Sequence, residues 1–110
     1  MTHPERLSPE AVREARKALP QWTCRGGALR REFTFADFAE ALRFVNRVAR
    51  IAEKAQHHPD IDIRWNRVRL AWTTHDAGGL TLRDFELARR SDECLAPPTS
   101  RPRPGRADRV

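Results

Sequence analysis

The sequence predicts a single α+β domain whose elements follow the order helix, hairpin, helix, strands, helix. Three observations indicate this: residues with helical spacing form separate segments, residues with strand-like alternation lie between them, and Gly or Pro marks the boundaries. Strands joined by a hairpin pair antiparallel, and helices on one face of an antiparallel sheet make an α+β domain. A chain of 110 residues has room for one modest core.

The first helix is predicted to begin at residues 8–10, Ser-Pro-Glu. This tripeptide supplies an N-cap, a proline at the first helical position and an acid near the positive helix end. Val12, Ala15 and Leu19 then recur on one face until Pro20, which is expected to end the helix.

Residues 22–35 predict a β-hairpin. Apolar and polar residues alternate before and after the pair Gly26-Gly27, which is a favoured two-residue hairpin turn. Arg31 interrupts the apolar face of the second strand. We therefore expect that strand to twist or to have a partly open edge.

The longest helical pattern runs from about Phe35 to His57, and Thr34 with Asp37 resembles a capping box at its start. The apolar stripe is wide enough to lie across a sheet and also to contact a second subunit. The residues of this stripe are Phe38, Leu42, Val45, Ala49 and Ala52, with Phe44, Val48 and Ile51 beside them.

Pro59 disfavours helical geometry at His58, so the long helix should end near His57. Adjacent side chains on a helix diverge by about 100°, and on a strand they point to opposite faces. A break in the helix at this point would let both histidines face one pocket.

Residues 61–74 favour strand, and their apolar parity switches at Asn66-Arg67. A turn there gives two strands, whereas a bulge gives one bent strand. Thr81 and Asp84 then form the capping box of a last helix.

The composition excludes several classes of protein. No apolar run approaches the roughly 20 residues needed to cross a bilayer, and no signal peptide is recognised, which predicts a soluble cytoplasmic protein without a membrane partner. Cys24 and Cys94 stand far apart and outside any CxxC pair, so we expect free thiols.

Residues 96–110 are rich in Pro and Arg and lack apolar periodicity. This predicts a domain over residues 1–95 followed by a disordered tail. The tail supplies half of the net charge of +6. Its scattered arginines without aromatic residues predict at most weak, salt-sensitive contact with nucleic acid, so no specific nucleic-acid partner is expected.

The candidate functional residues are Glu53, His57, His58 and His75. Histidine can give and take a proton near neutrality, so the cluster indicates acid–base work or metal ligation. Glu53 lies four residues before His57, so on a continuous helix its carboxylate can accept a hydrogen bond from that imidazole. A surface pair and a zinc site are the alternatives, although no HExxH motif is present.

These residues belong to an ordered set that resembles the signature of the pterin-4a-carbinolamine dehydratases, also called dimerisation cofactors of a homeodomain transcription factor. The set reads Glu53-x3-His57-His58-Pro59-x5-Trp65-x9-His75-x8-Asp84. The resemblance covers roughly residues 7–92. It implies a four-stranded antiparallel sheet with helices packed on one face, in subunits that associate as homodimers or homotetramers.

The resemblance also implies the reaction and its site. The substrate is a small pterin: 4a-hydroxytetrahydropterin loses water to give quinonoid dihydropterin, which recycles a tetrahydrobiopterin-type cofactor. The chemistry needs acid and base groups but no metal and no bound cofactor. His57, His58 and His75 would be catalytic, and Glu53 would orient His57. Residues expected to line the pocket are Pro59, Thr74, Asp76 and Ala77.

The remaining signature residues are expected to be structural. Asp84 is interpreted as a helix cap and Trp65 as a core residue. The alternative is that Trp22 or Trp65 packs an aromatic face against the flat pterin. Two positions depart from the family pattern. Ser91 replaces a usual aliphatic residue, which predicts poor packing of the last helix, and Trp72 replaces a smaller or polar one.

A non-enzymatic role is the alternative function. The family's second name suggests a dimerising partner or transcriptional coregulator whose working surface is the long helix. Retention of Glu53 and the three histidines favours the dehydratase.

Overall fold

A computed structural model describes residues 5–95. Its elements are α1 (Pro9–Arg16), β1 (Thr23–Arg25), β2 (Ala28–Thr34), α2 (Phe38–Ala55), β3 (Asp60–Arg64), β4 (Arg67–Trp72), a 3₁₀ helix (His75–Ala77) and α3 (Leu82–Glu93). The strands form one antiparallel sheet in the order β1-β2-β4-β3, with the helices on one face. The predicted fold class is confirmed. The predicted tail, residues 96–110, lies outside the described residues.

The core lies between the sheet and the helices. Alternate residues of β2 and β4 supply its floor, and one stripe of α2 covers it. The buried residues of α2 are Ala41, Phe44, Val48 and Ala52. The buried face of α2 therefore differs from the predicted stripe, which included Phe38, since Phe38 is 46% exposed. Phe44 sets the orientation because its ring packs against Phe33 and Phe35.

Two helix boundaries differ from prediction. Asp37, not Thr34, caps α2, and its side chain accepts from the Glu40 backbone N–H at 2.8 Å. Thr34 is unavailable because it ends β2, paired with Arg67. The first helix ends at Arg16 instead of reaching Pro20, because the next residues form i→i+3 turns.

The chain turns at Trp65 and Asn66, since the flanking residues Arg64 and Arg67 pair with each other. Of the two alternatives, the turn is correct and the bulge is wrong, but the turn lies one residue earlier than predicted, since Arg67 already belongs to β4. Two hydrogen bonds of 2.9 Å tie Asn66 to the backbone of Phe35. Trp65 has a left-handed backbone, with φ 54°, and is 67% exposed. Its predicted place in the core is wrong, because the turn carries the ring beyond the end of the sheet.

Arg31 occupies the helix-facing side of β2 without opening an edge. Its guanidinium lies 2.7 Å from the Asp92 carboxylate and 4.3 Å from the centroid of the Phe33 ring. The same carboxylate accepts from Trp22 Nε1 at 3.0 Å. The open-edge alternative is wrong, since β2 pairs with a strand on each side.

Cys24 and Cys94 are free thiols, as predicted, and burial raises the pKa of each. Within residues 5–95, no helix is both long and apolar enough to cross a membrane.

Candidate active site

His57 is positioned by the end of α2. Gln56 adopts a left-handed conformation, with φ 54°, which ends the helix, and His57 N donates to Ala52 O at 3.1 Å. The chain turns there, and His57 Nε2 lies 2.8 Å from Asp84 Oδ1 on α3. The imidazole is 12% exposed and the Asp84 side chain 0%. A buried carboxylate therefore holds a nearly buried histidine.

The second oxygen of Asp84 is held by donors from two neighbouring segments. Asp84 Oδ2 accepts from Thr74 Oγ1 at 2.7 Å and from Thr81 N at 2.9 Å. The bond to Thr81 completes the predicted capping box. A carboxylate only accepts hydrogen bonds, so the hydrogen of His57 is assigned to Nε2. Nδ1 is then the ring nitrogen that can accept a proton.

Glu53 does not orient His57, contrary to prediction. Its Oε2 lies 2.7 Å from His58 Nε2, and both side chains are exposed. The i,i+4 geometry fails because the helix ends at Ala55, before the histidine. Asp84 takes the expected place of Glu53 beside His57. Asp84 belongs to the family signature, which could have indicated a role at the site. Its predicted role as a helix cap accounts for only one of its two oxygens, and the other contacts His57.

Trp72 borders His57 on a ring face. The two rings are nearly parallel, 5° apart, with centroids separated by 6.0 Å. The indole N–H donates to Ser91 Oγ at 3.0 Å, and that hydroxyl donates to Leu87 O at 2.8 Å. Trp72 and Ser91, the two positions expected to depart from the family pattern, therefore contact each other. The predicted poor packing at Ser91 is wrong, since the residue is fully buried.

The predicted pocket residues occupy different environments. Thr74 is buried, and its hydroxyl lies 3.0 Å from Thr81 Oγ1 as well as bonding Asp84. His75 begins the 3₁₀ helix and is exposed, like Asp76, while Ala77 and Pro59 are half-buried. Asp84 thus links His57 to Thr74 through its two oxygens, and His75 follows Thr74 in the chain.

The loop after His75 is held at both ends. Thr74 and Gly79 form an isolated β-bridge, and Leu7 N donates to Leu80 O at 2.8 Å. The side chain of Arg6 lies against Gly79, where an added Cβ would approach Arg6 Nε to 3.2 Å. The amino-terminal segment therefore packs on the loop that carries His75.

Arg83 secures the other side of the site. Its guanidinium donates to Ala55 O at the carboxyl end of α2. Arg83 precedes Asp84, so one turn of α3 both caps the preceding helix and holds His57. Two tryptophans were considered as aromatic walls for the pterin. Trp22 is fully buried in the core, and Trp65 lies at the tip of the β3–β4 turn.

Within residues 5–95, no group of at least three His, Cys, Asp or Glu side chains is arranged to hold a metal ion. Three surface concavities of about 540, 690 and 290 Å³ are lined by other residues than the histidines.

Known proteins are similar to this chain in sequence and in fold. Residues 5–94 match the family model of pterin 4 alpha carbinolamine dehydratase. A protein of Acidobacterium capsulatum, named provisionally as a pterin-4-alpha-carbinolamine dehydratase, is 57% identical over 82 residues, covering 74% of this chain and 89% of its own. A protein of Thermomicrobium roseum with the same provisional name is 51% identical over 88 residues, covering 80% and 95%.

Two solved structures are similar to the chain. The "transcriptional coactivator/pterin dehydratase" of Brucella melitensis has a TM-score of 0.80 and 34% identity, covering 84% of this chain and 100% of that one. A pterin dehydratase-like RuBisCO assembly factor of the alpha-carboxysome has a TM-score of 0.60 at 22% identity, covering 69% and 90%, which is a likeness of fold alone. From the family match and these identities, the chain belongs to the pterin-4a-carbinolamine dehydratase family.

Proposed function

We propose that this protein removes water from 4a-hydroxytetrahydropterin, giving quinonoid dihydropterin and so recycling a tetrahydrobiopterin-type cofactor. The observation that carries the proposal is the pairing of His57 with the buried carboxylate of Asp84 at 2.8 Å. Such a pair fixes the tautomer and orientation of an imidazole that exchanges protons with a substrate. Family membership supplies the substrate class.

His57 is the proposed base. Its Nε2 hydrogen is directed to Asp84, so Nδ1 takes the proton from the ring nitrogen adjacent to the carbinolamine carbon. The imidazolium formed in this step is stabilised by the carboxylate behind it. The nitrogen lone pair then forms the carbon–nitrogen double bond of the quinonoid product.

His58 and His75 are the proposed proton donors, because both rings are open to solvent. One proton delivered to the hydroxyl oxygen lets the carbon–oxygen bond break with its electron pair on oxygen, and water leaves. Glu53 supports this role by accepting from His58. Pro59, Asp76 and Ala77 are proposed to contact the pterin, whereas Thr74 acts through Asp84.

The test is a stopped-flow assay of 4a-hydroxytetrahydropterin dehydration in the presence of a chelator. We expect the parent protein to accelerate dehydration, and His57→Ala to lower kcat by about 10²–10⁴-fold, the range for a lost general base. His3→Ala is the matched control, since His3 lies outside the residues that match the family. An inactive folded parent, or an equal loss in both variants, would overturn the proposal.

A second candidate is a coregulator role, with self-association through the outer side of α2. It is favoured by the printed name of the Brucella melitensis neighbour and by the exposure of Phe38 on that helix. Light scattering after size exclusion would measure the oligomer, which we expect to be a homodimer or homotetramer. A coregulator should retain partner binding in His57→Ala/His58→Ala. A monomeric parent would contradict self-association.

A further inference from the structure

Trp72 ends β4 with its indole fully buried beside the candidate base. Its ring lies within 5° of parallel to the His57 imidazole, at a centroid distance of 6.0 Å. Aromatic pairs attract at centroid distances of about 4.5–7 Å, in offset-stacked or edge-to-face arrangements. The contact restricts tilting of the imidazole, because rotation about its terminal torsion would swing an edge towards the indole.

The indole is itself held by α3. Ser91 Oγ accepts the indole N–H at 3.0 Å and donates its own hydrogen to Leu87 O at 2.8 Å. Each of these polar groups thus has a partner although Trp72 and Ser91 are fully buried. A buried N–H without an acceptor is costly, so this bond favours one orientation of the indole.

Asp84 and Trp72 constrain different motions of the same imidazole. The carboxylate at 2.8 Å sets the direction in which Nε2 points, and the nearly parallel indole at 6.0 Å limits rotation of the imidazole plane towards it. Both partners depend on α3, since Asp84 lies on that helix and Trp72 is bonded to Ser91 on it.

We infer that Trp72 is a positioning residue for His57, held in place by the indole N–H bond to Ser91. Its catalytic meaning rests on the proposed dehydratase function, in which His57 takes a proton from the pterin. The physical part of the inference concerns only the orientation of an imidazole, and it can be measured without substrate.

The test compares Trp72→Phe with Trp22→Phe. Trp22 is the matched control, because its indole is also fully buried and also donates to a side chain on α3, Asp92, but packs edge-to-face on Phe33. Both substitutions remove an indole N–H bond and the same volume from one core. Ser91→Ala is the second variant, which leaves both rings in place and removes the acceptor.

NMR of nitrogen-labelled histidine gives the substrate-free readout. In the parent we expect His57 to carry its hydrogen on Nε2, protected from exchange by Asp84. Trp72→Phe should speed exchange of that hydrogen at least about tenfold, as expected for local opening, and Ser91→Ala should act in the same direction. Trp22→Phe should leave it unchanged.

Kinetics give the second readout. Misplaced catalytic groups lower the rate steeply, so Trp72→Phe should lower kcat about tenfold with KM within about twofold, whereas Trp22→Phe should leave both within about twofold. Unchanged exchange in folded Trp72→Phe and Ser91→Ala, or equal effects of Trp72→Phe and Trp22→Phe, would overturn the inference. An inactive parent would overturn the proposed function alone, since the NMR comparison still decides the role of Trp72.

Discussion

Replacing Asp84 by Asn tests whether the buried carboxylate supports the chemistry as well as the fold. The substitution keeps the size of the side chain and turns one acceptor oxygen into a donor NH₂ group. In the parent, Oδ2 faces two donors, Thr74 Oγ1 and Thr81 N, and Oδ1 faces His57 Nε2. The new NH₂ group therefore either opposes Thr74 Oγ1 and Thr81 N, or faces His57 and moves the imidazole hydrogen from Nε2 to Nδ1.

The cost can be worked from these contacts. Weakening an N-terminal helix cap costs about 0.5–2 kcal/mol. Leaving a buried polar group without its partner costs about 1–3 kcal/mol. We expect Asp84→Asn to lose about 2–4 kcal/mol of unfolding free energy, which a domain with a total of about 5–15 kcal/mol survives.

The catalytic loss should exceed what this destabilisation explains. With an amide at position 84 the imidazolium loses its counter-charge in either orientation, and an NH₂ group that faces His57 also places the imidazole hydrogen on Nδ1, the proposed base atom. We therefore expect kcat to fall about 10²–10⁴-fold in folded protein. Stopped-flow dehydration measures the rate, and urea unfolding followed by circular dichroism measures the folded fraction.

Asp92→Asn is the matched control for that experiment. Asp92 lies on the same helix and accepts hydrogen bonds from Trp22 and Arg31, but it has no part in the Asp84 network. We expect a stability loss of about 1–3 kcal/mol and a kcat within about twofold of the parent. A folded Asp84→Asn variant with nearly full kcat would refute the reasoning, and so would equal losses of activity in the two variants.

Three further predictions concern residues outside the Asp84 network. Ser91→Ala should lower the unfolding free energy by about 1–3 kcal/mol, because the buried indole N–H of Trp72 loses its acceptor. Trp72→Phe should then cost less stability in the Ser91→Ala background than in the parent. Urea unfolding of the parent, the two single variants and the double variant checks this, and additive losses would contradict it. Trp65→Asn should raise stability by up to about 1 kcal/mol, since Asn tolerates the left-handed backbone better and the ring is exposed; a lower urea midpoint would refute it. Burial raises the pKa of Cys24 and Cys94, so less thiolate is present at neutral pH than in an exposed thiol. Both should therefore react with Ellman's reagent more slowly than glutathione does, with rates rising about tenfold per pH unit. A reaction faster than that of glutathione at neutral pH would contradict this.

Local rules predicted most of the elements because their causes are local. Ser8 and Thr81 cap the helices that their sequences indicate, and Gly26 with Gly27 forms the hairpin turn with φ 62° and 75°. Such signals depend on a few adjacent residues, so they survive whatever the rest of the chain does. Where two signals competed, as at Thr34, pairing within the sheet decided the boundary.

The partner of His57 could not be predicted in the same way. An i,i+4 rule favoured Glu53, but it assumes that the helix continues, and Gln56 ends it in a left-handed conformation. The actual partner, Asp84, is 27 residues away in sequence. Only the packing of α3 against the sheet brings the two side chains together.

By itself, the sequence determined the order of the elements, the family signature and the histidines that mark the site. The tertiary structure alone decided which carboxylate serves which histidine, and that Trp72 and Ser91 satisfy each other across 19 residues. The physical reason is one of range. Capping, turns and periodicity are set by neighbours in sequence, whereas burial and the pairing of polar groups are set by which faces of distant elements pack together.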